Sequence, residues 1–310
     1  MPSAKPSRVL LVIAVLFTLS AIGWAVCLLY RLGQAPLDAS MFLLGLSLGP
    51  CLGLYALVPI KQKPRARRLV LFTGGFSILA FSLLASANLD LEGFILLLFE
   101  GAMGIAIGHT LVTLIAGPLF FGRVLCGWGC WRAMVLELLP VGRGKGRRMG
   151  IWRFLPFAGL GAAIGSAALG FFVFGHRAGG VPGSPGVAGL RSLMIGFGVY
   201  YTASIGLAFA LNDQRAFCKY LCPSAVILRL SSRLSLLKMA TDHHACNGCG
   251  ACSRVCPMDI DVKAFAVSGR RVLSGECILC QRCAQVCPTG AIAPSFGLDV
   301  ARGTPFSHFD

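Results

Sequence analysis

Apolar residues run in long blocks to about residue 211; beyond that point polar and apolar positions mix over short distances. Val9–Tyr30 is an apolar stretch of about 22 residues, long enough for a helix to cross the ~30 Å hydrocarbon layer. It lacks the small-residue cleavage site of a secretory leader, so it is expected to remain as a helix. Similar runs predict helices over residues 41–60, 69–87, 94–121, 152–175 and 191–211. The fourth is long enough to tilt. Val226, Leu230, Leu234 and Leu237 then recur at helical spacing, with Arg229 and Arg233 off that stripe. They predict an amphipathic linker over 223–240, lying either on the membrane surface or on the protein itself. Val262–Val267 and Arg270–Leu273 flank Ser268-Gly269 and predict a short hairpin. The expected fold is an all-α polytopic membrane protein with about six transmembrane helices over 1–222, followed by the linker. A small α+β domain over 241–296 and a tail over 297–310 complete it.

Composition agrees with a membrane protein. Of 310 residues, 56% are hydrophobic and 13% charged, and the mean hydropathy is +0.76. The net charge of +16 lies in the first 240 residues, because six basic and six acidic residues cancel from 241 onward. Nineteen basic residues flank one side of the six runs and three the other, namely Arg31, Arg177 and Arg191. That asymmetry orients both termini toward the cytoplasm of a bacterial inner membrane. A basic excess between apolar runs marks cytoplasmic loops, not nucleic-acid binding.

Cysteine spacing supplies the chemistry. Cys246–Pro257 and Cys277–Pro288 each read C-x2-C-x2-C-x3-C-P. In that run three thiolates wrap one cubane cluster and the fourth, before proline, completes the other. The spacing therefore assigns Cys246, Cys249, Cys252 and Cys287 to one [4Fe–4S] cluster, and Cys277, Cys280, Cys283 and Cys256 to a second. Gly248 and Gly250 let the backbone curl around the first site. Zinc sites use separated C-x2-C pairs, and disulfides need an oxidising compartment. This stretch resembles the bacterial-type two-cluster ferredoxin domain.

A second constellation repeats after the fourth and sixth runs. Arg123 precedes Cys126 and Cys130, and Arg215 precedes Cys218 and Cys222, each as R-x2-C-x3-C. Residues at i and i+4 share a helix face, so four thiols could meet at one site. A soft metal ion, a dithiol–disulfide couple, a relay to the clusters and a purely structural role all remain open. Cys27 and Cys51 read as small packing residues.

These C-x3-C pairs ahead of two cluster motifs resemble a superfamily of ferredoxin-type membrane proteins. It includes the NapH-type quinol dehydrogenase component, the methylamine-utilisation protein MauN and, more distantly, the NosR and CcoG types. The resemblance covers roughly residues 95–295. Cys218, Cys222 and Pro223 match the C-x3-C-P motif; after Cys130, Trp131 replaces the proline. No room exists for the extracytoplasmic flavin domain of NosR, so NapH and MauN are the nearer types. The resemblance implies electron transfer between the quinone pool and a partner redox protein, as part of a quinol dehydrogenase. The alternative is a reductase that feeds electrons to a metal such as copper while another enzyme matures. Within the fourth run, Glu100 and His109 are candidates for a quinone site, since ionisable groups in a membrane are costly. They stand about half a helical rotation apart. His109 is the only histidine inside an apolar run, so a bis-histidine haem is excluded. Tyr200 and Tyr201 are expected to make interhelical hydrogen bonds.

Overall fold

The protein is described here from a computed structural model. It describes Val15 and residues 50–299 except 85–87, 102–104, 143, 145, 147–149 and 176–185. The first predicted helix, Cys27 and the tail beyond 299 fall outside the described residues. Residues 50–57 are helical, and Cys51 packs beside Tyr55. Helices α1 (Lys63–Leu84), α7 (Leu155–Phe172) and α8 (Gly186–Leu211) supply the long apolar elements. Among the described residues, three helices are long and apolar enough to cross a membrane. A fourth span is available if a bent pair counts as one. Six are not seen. Only 28% of the apolar window of α7 is buried, and the same holds for α8. Phe172 and Val199 point outward, as lipid-facing side chains do.

The fourth predicted helix is not continuous. Helix α2 (Leu91–Glu100) stops at Gly101, and α3 (Ile105–Leu111) resumes the path. A π turn over Val112–Ala116 then leads into α4 (Gly117–Phe121). Pro118 has no N–H to give, and Gly117 bonds back to Val112, so the ladder slips there. After Gly122 the chain turns by 95° into α5 (Val124–Trp128) and α6 (Trp131–Leu136). Hydropathy alone cannot register that bend, because both arms are apolar.

Past α8 come α9 (Ala216–Tyr220) and α10 (Ser224–Arg233). The linker helix ends at Arg233, earlier than its stripe predicted, because Leu237 already belongs to strand β1 (Leu237–Thr241). Helix α10 buries Ala225 and Leu228 against the protein and leaves Leu230 exposed. Short helices α11 (Ala251–Arg254), α12 (Val262–Val267) and α13 (Arg282–Val286) then precede β2 (Ile292–Phe296). The expected hairpin around Ser268 is instead α12, started by the Asp261 carboxylate, which accepts from the Ala264 N–H at 3.3 Å. The sheet forms between β1 and β2, antiparallel, with Leu237 opposite Phe296 and Thr241 opposite Ile292.

One apolar core joins the two halves. It runs from Leu193 and Phe197 on α8 through Trp131 and Phe217 to Met239, Met258, Ile278 and Ile292. Two ion pairs cross the same seam, Arg123–Glu276 and Lys219–Asp259. Six of the nineteen flanking cations, Arg67, Arg123, Arg132, Arg215, Lys219 and Lys238, are buried. Each meets a carboxylate. These six hold the fold together instead of facing lipid head groups.

Candidate functional site

Cys256, Cys277, Cys280 and Cys283 line one cavity, with Met239, Met258 and Ile260 as apolar walls. Burial pushes the Cys277 thiol up to about 12 and raises those of Cys256 and Cys283 as well. Thiols so placed lose their protons only to a cation that replaces lost solvation. Four soft donors around one cavity fit an iron–sulfur cubane.

The first motif lies farther from the seam. Cys246 and Cys252 are within electrostatic reach of one another, and Cys249 is exposed. Gly248 and Gly250 both stand at φ +70°, the left-handed turn that carries the loop around. Cys287 ends α13, and its sulfur accepts from the Ala291 N–H at 3.3 Å. Burial opposes ionisation there, but hydrogen bonds from Thr289 and nearby amides outweigh it and hold the thiol below its usual range.

The two C-x3-C pairs converge. Cys130 lies within electrostatic reach of Cys126 and Cys218, and Cys222 within reach of Cys126 and Cys218. Cys126, Cys130 and Cys222 line a cavity of about 100 Å³ beside Asp90 and Arg132. The motif arginines cross over. Arg215 donates to the Cys126 carbonyl at 3.0 Å and pairs with Glu137, which also pairs with Arg67. Arg132 approaches the Cys222 sulfur at 3.9 Å and Arg215 the Cys218 sulfur at 4.0 Å. Two guanidiniums thus offset negative charge on the sulfurs. Trp131, in place of the expected proline, starts α6 and packs on Phe197 at 4.5 Å between ring centroids.

This four-thiol site touches the second cluster motif directly. Trp128 Nε1 donates to the Leu279 carbonyl at 2.9 Å, and Tyr55 donates to Gln281 at 3.0 Å. Arg123 pairs with Glu276 at 2.6 Å and Lys219 pairs with Asp259. Gly127 presses its bare backbone on this loop: a Cβ there would stand 2.3 Å from the Ile278 oxygen.

The family described as a 4Fe-4S dicluster domain matches residues 238–288. A second family, described as a 4Fe-4S binding domain, matches 104–148 and again 195–240, one C-x3-C pair in each copy. The chain is a ferredoxin-type 4Fe-4S membrane protein related to NapH and MauN. MauN of Methylobacillus flagellatus is 29% identical over 67% of this chain and 75% of its own length. NapH of Haemophilus influenzae is 27% identical over 53% of this chain and 59% of its own. A ferredoxin of Thermococcus litoralis is 43% identical over 18% of this chain and 95% of its own. The chain spans 36% of Escherichia coli NapH. No solved structure matches it. This NapH/MauN-related chain joins 4Fe-4S binding domains to helices long and apolar enough to cross a membrane.

The remaining candidates are scattered. Glu100 ends α2, and His109 lies in α3, where its side chain is outside the described set. Tyr201 donates to the Trp131 carbonyl at 3.2 Å, and Tyr200 donates to Glu92. The acids that meet buried cations and tyrosines, Asp90, Glu92 and Glu137, were not singled out by sequence reading. Their signal is an acid beside or within an apolar block with a basic residue elsewhere to match it.

Proposed function

We propose that the chain passes electrons between the quinone pool and a partner redox protein through two cytoplasmic [4Fe–4S] clusters. Cys246, Cys249, Cys252 and Cys287 hold one cluster, and Cys277, Cys280, Cys283 and Cys256 hold the other. Cys126, Cys130, Cys218 and Cys222 form a third redox centre beside them. When bound, the clusters supply one-electron couples, tuned by hydrogen bonds and exposure. The observation that carries the reading is the seat of Ile278–Gln281 on Gly127 and Trp128. It supports direct neighbourhood between the four-thiol site and the Cys277 motif. The exposed Cys249 leaves the other motif facing a soluble partner. The paired match of a 4Fe-4S binding family to the two C-x3-C halves supports an iron–sulfur centre there.

Anaerobic protein, analysed for iron and sulfide and titrated potentiometrically by EPR, tests this. Three cubane centres give about twelve irons per chain, and Cys126→Ser with Cys218→Ser lowers the count to about eight. Eight in the unaltered protein would remove the third centre. Potentials far below that of the quinone pool would remove the quinol link.

A further inference from the structure

A third cavity, of about 130 Å³, opens between α2, α7 and α8. Its walls include Asn88, Glu92, Ser166, Ile195, Val199 and Tyr200. Ile195 and Val199 are 49% and 63% exposed and lie on a membrane-length apolar stretch of α8. The mouth therefore faces lipid, and a ligand enters from the hydrocarbon layer. The inner end is polar. Tyr200 donates its hydroxyl to one Glu92 oxygen, while the other, Oε2, is buried with no hydrogen-bond partner. An acceptor left open inside an apolar cavity is costly unless something donates to it.

The wall behind Tyr200 leads straight to sulfur. The Arg132 guanidinium lies 3.7 Å from the Tyr200 ring centroid and 3.9 Å from the Cys222 sulfur, with Asp90 at 2.6 Å as its counter-ion. Two side chains, Tyr200 and Arg132, stand between the cavity and the Cys222 sulfur.

We propose that this cavity binds the ring of a lipid-soluble hydroquinone, with a ring hydroxyl donating to Glu92 Oε2 and the isoprenoid tail leaving past Ile195 and Val199. The occupant must be apolar enough to arrive through lipid and flat enough for a slot between helices. It must also donate a hydrogen bond to a carboxylate. A fatty-acid carboxylate brings an anion against Glu92 and is repelled. This inference rests on the quinol-linked reading and gives it a location different from Glu100.

The test uses full-length protein in nanodiscs and two probes. An azido-decylubiquinone is photolysed and its adducts mapped, and anaerobic decylubiquinol is mixed with the protein while iron–sulfur absorption is followed. Adducts are expected within residues 88–96 or 193–201 and are displaced by excess decylubiquinone. Glu92→Gln keeps the shape and removes the charged acceptor, and Val199→Trp blocks the exposed mouth. Each is expected to weaken saturable labelling at least about tenfold, the scale of one charge-assisted hydrogen bond, with iron content unchanged. Saturable labelling at other residues, or full labelling in both variants, overturns the site even where decylubiquinol reduces the protein. Labelling in the cavity without reduction keeps the site and removes the quinol link. Absence of both overturns both.

Discussion

Substituting Gly127 by alanine isolates the contact between the four-thiol loop and the Cys277 loop. The added Cβ meets the Ile278 carbonyl oxygen at 2.3 Å and the Cys280 nitrogen at 3.7 Å. Ordinary contact begins near 3.4 Å, so the loops must part by 3.4 − 2.3, about 1.1 Å. The obstacle is backbone and cannot swing away. At that separation the 2.9 Å bond from Trp128 to Leu279 passes out of hydrogen-bonding range. Over-packing costs about 1–3 kcal/mol and the lost bond about 1 kcal/mol. Replacing glycine inside helix α5 returns up to about 1 kcal/mol. The net loss is about 1–3 kcal/mol. If all of it falls on unfolding, the rate rises about 5- to 150-fold. The assay is urea-driven bleaching of the iron–sulfur absorption in detergent. Gly129→Ala is the control, since its Cβ meets only the flexible end of Leu125 at 3.2 Å. If Gly127→Ala bleaches no faster than Gly129→Ala, the two loops are not pressed together and the reasoning fails.

Three further outcomes are expected. Glu137→Gln leaves the buried Arg67 and Arg215 without their carboxylate. At about 3–5 kcal/mol for an orphaned buried charge, little monodisperse protein should survive size exclusion, and near-normal yield would contradict it. In acid, burial alone would raise Glu137, but Arg215 and then Arg67 outweigh it and hold the carboxyl at about 2. A depressed carboxyl contributes fully above about pH 4.5 and loses its contribution as pH falls through about 2. Size exclusion across that window should show dispersal at the acid end; persistence of the compact species below pH 2 would argue that the clamp is dispensable. Lys219→Met strands Asp213 and Asp259. It should cost about 3 kcal/mol and speed urea bleaching accordingly, and a loss under about 1 kcal/mol would show that the bridge is solvated.

Much of the site is written in the cysteine spacing. Thiol geometry around a metal demands short, fixed intervals, so Cys256 and Cys277–Cys283 could be placed in one group before any fold was known. The convergence of the C-x3-C pairs followed from their repetition. Helices α1, α7 and α8 were legible because apolar length is a property of local sequence. What escaped was long-range. Glu137 reads as a loop acid until Arg67, seventy residues earlier, is seen beside it. Glu92 precedes the predicted start of its helix, because hydropathy ignores an acid whose partner is a distant tyrosine. The break at Gly101 and the slip before Pro118 lie in sequence that is apolar throughout. The hairpin around Ser268 failed for a local reason, since Asp261 nucleates a helix that alternation does not reveal.

The seam also bears on biogenesis. Arg123 emerges from the ribosome 153 residues ahead of Glu276, and Lys219 emerges 40 ahead of Asp259. Until the ferredoxin part is made, these two cations have nothing downstream to neutralise them in the positions where the finished protein buries them. The late-synthesised domain must then bring Glu276 and the Cys277 loop against Arg123 and Trp128 in register. Completion of the membrane half is thereby tied to synthesis of the ferredoxin half, and a chain cut short before it leaves Arg123 without Glu276 and the apolar core around Trp131 and Phe217 open.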